Sequence, residues 1–182
     1  EDYLRGKIAP CDLVAYAHAY SAAEREDFAR LQEIDRYLTA SLLPQETRQG
    51  SGRSGRAILE TLRATVDAKI FQQFASAVQT GDSAGNAAVS LGVLCAVWTI
   101  PLRAGALLHL YTFAVSFLSA ALRLGHLGHR EVQRILLELR PQFPPLVDMA
   151  LNQQLEDMFT FAPLADIRAM QHAYLPVRLF SS

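Results

Sequence analysis

Residues 102–124, LRAGALLHLYTFAVSFLSAALRL, set the strongest limit on what this chain can become. Nearly every position is apolar. The exceptions are Gly105, His109, Thr112, Ser116, Ser119 and Arg123, spaced four, three, four, three and four apart. On a helix that spacing makes one stripe of small and polar groups, with Leu, Phe, Ala and Val on the other sides. A helix apolar over most of its surface is expected to be surrounded by protein or lipid. The stripe needs a partner of its own: a closely packed neighbour, ordered water or another chain.

Protein is the expected surrounding. The chain of 182 residues suits one domain with a real core, and 51% hydrophobic against 19% charged residues describes a folded body. Net charge is -1 and the basic residues are scattered, which argues against nucleic acid as a partner. The two cysteines, Cys11 and Cys95, give no disulfide framework and fit a reducing, cytoplasmic setting. Residues 1–7 are charged and no apolar run follows them, so no secretory signal is expected. Residues 104–122, about nineteen long, do meet the length of a membrane span. Residues 84–100 form a second apolar run, and Pro101 divides the two. A helical hairpin in a bilayer is therefore the competing architecture. Against it stand several amphipathic helices that need a shared core, and His109, which would lie near the bilayer middle.

Pro10 and Asp12 can open a short helix with Leu13, Tyr16, Ala17 and Tyr20 on its apolar face. Ser21-Ala22-Ala23-Glu24 has the form of a capping box, opening a helix that carries Phe28, Leu31, Ile34 and Leu38 inward. Pro44 suits a first helical turn. Gly50 to Gly55 spells G-x-G-x-x-G, but no strand precedes it and no acidic residue closes a βαβ unit after it, so nucleotide binding is rejected. The alternative is a glycine-weakened helix held by its neighbours. Residues 79–83 read as a turn. The following helix carries Ala88, Gly92 and Ala96 on one ridge, which allows close approach to another helix, the stripe on 102–124 being the obvious candidate. Residues 125–128 break the long helix. A helical period then runs from Val132 to Ala150 through Pro141, with Pro144-Pro145 as an interruption. Residues 152–161 form a connection and 163–171 a last helix. No period-two run of useful length appears. The expected fold is all-α, a single-domain bundle of roughly eight helices spanning 1–182.

The residues offer little chemistry. His126 and His129 are placed to share a metal, but a transition-metal site wants three or four ligands and at most one more is near in sequence. His109 and His172 stand alone in their segments. No Gly-x-Ser-x-Gly elbow or lysine-bearing phosphate loop is present, and Asp157 and Asp166 have nothing that would pair them for acid–base work. The expectation is an interaction protein without catalytic residues, metal ligands or cofactor. The carboxyl end, MQHAYLPVRLFSS, mixes apolar, aromatic and basic residues where free ends are usually polar. It either docks on its own core or on another chain, and Tyr and Arg are frequent interface anchors.

These residues resemble those of a known family, the urease accessory protein UreF. Asp166-Ile167-Arg168-Ala169-Met170-Gln171-His172 and the closing Arg178-Leu179-Phe180-Ser181-Ser182 look like its carboxyl-terminal signature. Gly85-Asn86-Ala87-Ala88-Val89 resembles its small-residue helix start. His109-Leu110-Tyr111 and Gln133-Arg134-Ile135-Leu136 match its following helices, and Glu46-Thr47-Arg48 through Gly55-Arg56-Ala57 resembles its Glu-x-Arg helix. The likeness runs from about Ile8 onward. The family's Pro- and Gly-containing opening segment with its His-Ser pair has no counterpart here. Pro176-Val177 replace the Tyr-Ser usual before the terminal Arg-Leu-Phe.

The resemblance implies an all-α protein that pairs with itself and with a UreD/UreH-like accessory protein. Together they recruit the GTPase UreG and help deliver nickel to apo-urease, the chain acting as scaffold and regulator. The runner-up is a helical interaction protein, membrane-embedded or not, with no part in metal delivery. Residues 173–182 are the expected docking tail. Arg178 would grip a carboxylate or carbonyls in a planar fork, Leu179, Phe180 and Tyr174 would supply anchor area, and Met170, Gln171 and His172 would position the last turn. Glu46 and Arg48 form a second expected contact surface.

Overall fold

Residues 4–24 form one helical rod in the computed structural model, which describes residues 1–172. Its first half, Leu4–Leu13, is wound as a π-helix, and its second half is α1, Val14–Glu24. Ile8, Ala9, Cys11, Leu13, Val14, Ala15, Tyr16 and Ala19 are all fully enclosed. The sequence explains why. Alanines and other small side chains dominate the rod, so neighbours approach from every side. The bundle is thus organised around this rod, not around residues 102–124.

The remaining helices are α2 (Phe28–Ser41), α3 (Gln45–Leu62), α4 (Lys69–Thr80), α5 (Ala87–Val97), α6 (Leu102–Arg123), α7 (His129–Leu139), α8 (Phe143–Leu151) and α9 (Pro163–His172). Short 3₁₀ turns at Arg140–Gln142 and Leu155–Asp157 link the last three. The described residues hold no strand, and the fold is an all-α single domain as expected. The rod touches α2, α5, α6 and α8.

Several local expectations change. Ser21-Ala22-Ala23-Glu24 closes α1 instead of opening a helix. The chain turns at Glu26, where φ is 54°, and the cap of α2 is Asp27, whose Oδ1 accepts the Arg30 N–H at 3.0 Å. Asp12 is no helix start, since it lies buried inside the rod. Pro141 begins the break between α7 and α8, while Pro144 and Pro145 sit in the first turn of α8, where a missing N–H leaves no gap.

The glycine run has a packing role. Here α3 crosses the start of α5, and a Cβ on Gly55 would run into the Gly85 carbonyl oxygen and lie 2.8 Å from Ser90 Oγ. Ser51 Oγ accepts the Ala87 N–H at 3.2 Å, so the same helix also caps α5. From the other side Asp35, fully buried in α2, accepts the Gly85 and Asn86 N–H groups, both at 2.9 Å, and Asn86 Nδ2 at 2.8 Å. The Gly85-Asn86 start of α5 is therefore held by a carboxylate and by a glycine-lined crossing at once.

The ridge of Ala88, Gly92 and Ala96 meets α1, not α6. A Cβ on Gly92 would lie 2.6 Å from the Tyr16 carbonyl oxygen. The face of α6 that turns inward is Gly105, Ala106, Leu110, Ala114 and Leu118. Within the polar stripe, Gly105 abuts the Tyr16 hydroxyl, which donates to the Leu102 carbonyl at 3.2 Å, and the His109 ring stacks on Tyr16. Further along, Thr112 Oγ1 donates to the Leu108 and His109 carbonyls of its own helix, and Thr112, Ser116 and Arg123 are exposed.

Candidate interaction surface

The outward side of α6 defines the site. Leu108 and Tyr111 are exposed and Val115 and Leu122 half-buried, at spacings of three, four and seven that set them in one row. Of the most apolar stretch of α6, only 28% is buried inside the chain, although its length and composition would let it cross a membrane. Such a row is long for a surface that faces water alone. Beside it runs α7, whose Ile135, Leu136 and Leu139 are half-buried and whose Leu137 is 66% exposed. Between α6, α7 and the start of α8 lies a groove of about 730 Å³, lined by Leu107, Tyr111, Leu136, Leu137 and Phe143, with Arg140 and Gln133 at its rim. An aromatic hydroxyl, an arginine and aliphatic walls make a surface suited to burial against protein. On the other flank Phe117 is 62% exposed and stacks on Phe113, which stacks on Tyr3.

A second apolar surface lies at the carboxyl side. Residues 159–161 run along the rod, with the Phe161 N–H donating to the Gly6 carbonyl at 2.6 Å and the Phe159 N–H to the Pro10 carbonyl at 3.2 Å. Here α9 follows, with Leu164, Ile167 and Met170 exposed along it and Phe161 exposed just before it.

The expected site residues fall as follows. Met170 and Gln171 are exposed on α9, Gln171 Oε1 accepts from Arg168 at 3.4 Å, and His172 is the last residue of the helix. Tyr174, Arg178, Leu179 and Phe180 lie outside the described residues. Glu46 and Arg48 are half-buried in the first turn of α3. The Arg48 Nη1 donates to the Leu42 and Leu43 carbonyls at 2.6 and 2.7 Å, so its guanidinium ties the α2–α3 corner together. His126 and His129 are exposed at the α6–α7 corner. Among the described residues no three His, Cys, Asp or Glu side chains converge as metal ligands would.

Inside the rod lies a polar cluster that the sequence reading missed. Lys7 Nζ and Asp12 Oδ2 are 2.6 Å apart with both side chains buried. Burial alone would lower the Lys7 pKa, but Asp12 beside it more than offsets this and the ammonium is held. His109 of α6 faces the same pair. Burial pushes its pKa down and Lys7 adds to that, against the opposing pull of Asp12. Burial drives the Cys11 thiol up to about 12, and it raises Tyr3 as well. A thiol so raised is a poor nucleophile. No signal at helical spacing points to this cluster, because Lys7 and Asp12 are five residues apart.

Fold and surface together define an all-α protein whose distinctive features, among the described residues, are apolar faces left exposed on α6–α7 and on α9. The family model for UreF matches residues 1–140. The chain is 32% identical over 174 residues to urease accessory protein UreF 1 of Brucella melitensis biotype 1, covering 96% of this chain and 72% of that protein. It is 30% identical over 179 residues to urease accessory protein UreF of Trichodesmium erythraeum, covering 98% and 77%. With the protein of that name from Yersinia enterocolitica the identity is 28% over 176 residues, covering 97% and 77%. This chain belongs to the UreF family of urease accessory proteins.

Proposed function

We propose that this protein serves urease maturation as a scaffold in the cytoplasm. It pairs with a second copy of itself through the α6–α7 face, and with a UreD/UreH-like accessory protein through α9 and the 173–182 tail. The assembled body recruits a UreG-like GTPase and regulates the delivery of nickel, the cargo, to apo-urease. The chain itself supplies surfaces, not reacting groups.

The observation that carries this reading is the pair of apolar faces in a chain of this family. Leu108, Tyr111 and Leu137 are too exposed for residues of their kind unless something covers them. The row on α6 beside a groove gives two like surfaces ridges and hollows to exchange, as a two-fold interface requires. The α9 face continues directly into the segment bearing Tyr174, Arg178, Leu179 and Phe180.

Co-purification with UreD/UreH-like and UreG-like partners tests the reading. Deleting 178–182 is expected to leave the thermal unfolding curve unchanged and to abolish capture of the UreD/UreH-like partner. A truncated chain that still assembles with both partners refutes the tail assignment.

A further inference from the structure

We propose that the buried Lys7–Asp12 pair is a positioning device for the carboxyl-terminal docking surface: it fixes the winding of Leu4–Leu13, whose Gly6 and Pro10 carbonyls hold residues 159–161 and so set where α9 begins. The inference rests on the reading that α9 and the tail engage a partner.

The geometry runs in one chain of contacts. Hydrogen bonds that reach five residues make positions 7 and 12 neighbours on a π-helix. On an α-helix the same spacing would turn them roughly 140° apart. The 2.6 Å contact therefore exists only while the segment keeps its wide winding. Among the described residues Asp12 Oδ2 meets no hydrogen-bond donor in regular geometry, and the Lys7 ammonium beside it answers its charge. Residues 159–161 supply donors from outside, to Gly6 at 2.6 Å and to Pro10 at 3.2 Å. Gly6 is needed for this approach, since a Cβ there would run into the Phe161 carbonyl oxygen. Rewinding the segment would turn both carbonyls away and release Phe161. The α9 helix starts two residues later, at Pro163.

A buried pair is weak support for stability, since well-packed apolar residues often replace one without loss. It does discriminate between arrangements, because an unanswered buried charge penalises the wrong one. The pair thus selects one winding over another. His109 and Tyr3 both lie within electrostatic reach of the pair.

Hydrogen exchange on the full chain, read at single amides, tests this. In Lys7→Met, exchange at the Phe159 and Phe161 amides is expected to rise about tenfold or more while Phe74 of α4 and Val93 of α5 stay within about twofold, the mark of a local opening. Gly6→Ala, acting from the other side of the contact with the ion pair intact, is expected to give the same local pattern. Lys7→Met/Asp12→Leu leaves no buried charge unanswered and serves where the single variant does not fold. It is expected to keep the urea midpoint and still loosen Phe159 and Phe161. Unchanged exchange at these two amides in the double variant, or an equal rise at all four, overturns the inference. Capture of the UreD/UreH-like partner by the same variants is a separate arm. It is expected to fall several-fold, and full capture with Phe161 loosened would overturn the role of α9, not the coupling of pair to segment.

Discussion

Replacing Asp35 with alanine is expected to be among the most damaging single changes away from any contact surface. The carboxylate is fully buried and receives three donors, the N–H groups of Gly85 and Asn86 at 2.9 Å and Asn86 Nδ2 at 2.8 Å. Alanine strips the two backbone N–H groups of their acceptor, while Asn86 Nδ2 keeps Thr39 Oγ1 at 2.7 Å and the Asp35 carbonyl at 3.2 Å. A buried donor left without a partner costs about 1–3 kcal/mol, and hydrogen bonds to a charged acceptor lie at the upper end of the range. The donors are neighbours and relax together, so the losses do not simply add, and about 4 kcal/mol is the expected total. With a denaturant slope of about 2 kcal/mol per molar urea, the unfolding midpoint should fall by about 2 M. Asp35→Asn keeps one oxygen but turns an NH₂ toward N–H groups, and should lose roughly half as much. Urea titration followed by far-ultraviolet circular dichroism measures both. A midpoint for Asp35→Ala within about 0.5 M of wild type would refute the claim that this carboxylate holds the start of α5.

Four other changes follow from the same contacts. Leu137→Glu or Tyr111→Glu, on the open α6–α7 face, should leave stability within about 0.5 kcal/mol but convert the proposed dimer to a monomer in light scattering. Gly105→Ala forces a methyl into the Tyr16 hydroxyl and should cost about 2 kcal/mol, lowering the melting temperature by roughly 4–8 °C. His109 has a folded-state pKa below its ordinary value of 6.5. Its contribution is therefore present above pH 6.5 and lost as pH falls through the folded value, and urea midpoints for His109→Gln should decline less than wild type over that window. Cys11 and Cys95, both buried, should react with a thiol reagent only at the rate of global unfolding, so a burst of modification in native buffer would contradict their burial.

Helix existence was legible because period and punctuation agree. The turns at 79–83 and 125–128 and the final helix from Pro163 fall where glycine and proline place them. What periodicity could not rank was depth. Residues 102–124 look like a core helix because they are apolar, yet α6 covers only one side of the rod. Residues 8–23 look modest because they are alanine-rich, yet small side chains are what allow burial from all directions. The capping-box pattern at Ser21 failed because Ala22 and Ala23 continue a helix as readily as they begin one. For the site, the exposed row of Leu108, Tyr111, Val115 and Leu122 was hidden in the sequence, because a helix apolar on most sides does not show which side is left uncovered. The Lys7–Asp12 pair was hidden too, because a reading set to 3.6 residues per turn assigns the two to different faces.

The rod has a consequence for how the protein is made. Its residues leave the ribosome well before groups that enclose them: the inner face of α6, then α8, then the amides of Phe159 and Phe161. Contacts this distant in the chain close slowly. The alanine-rich rod must therefore wait, partly uncovered, until the segment just before α9 has been made. A nascent chain released before residue 159 should be recognised as unfinished by holding chaperones.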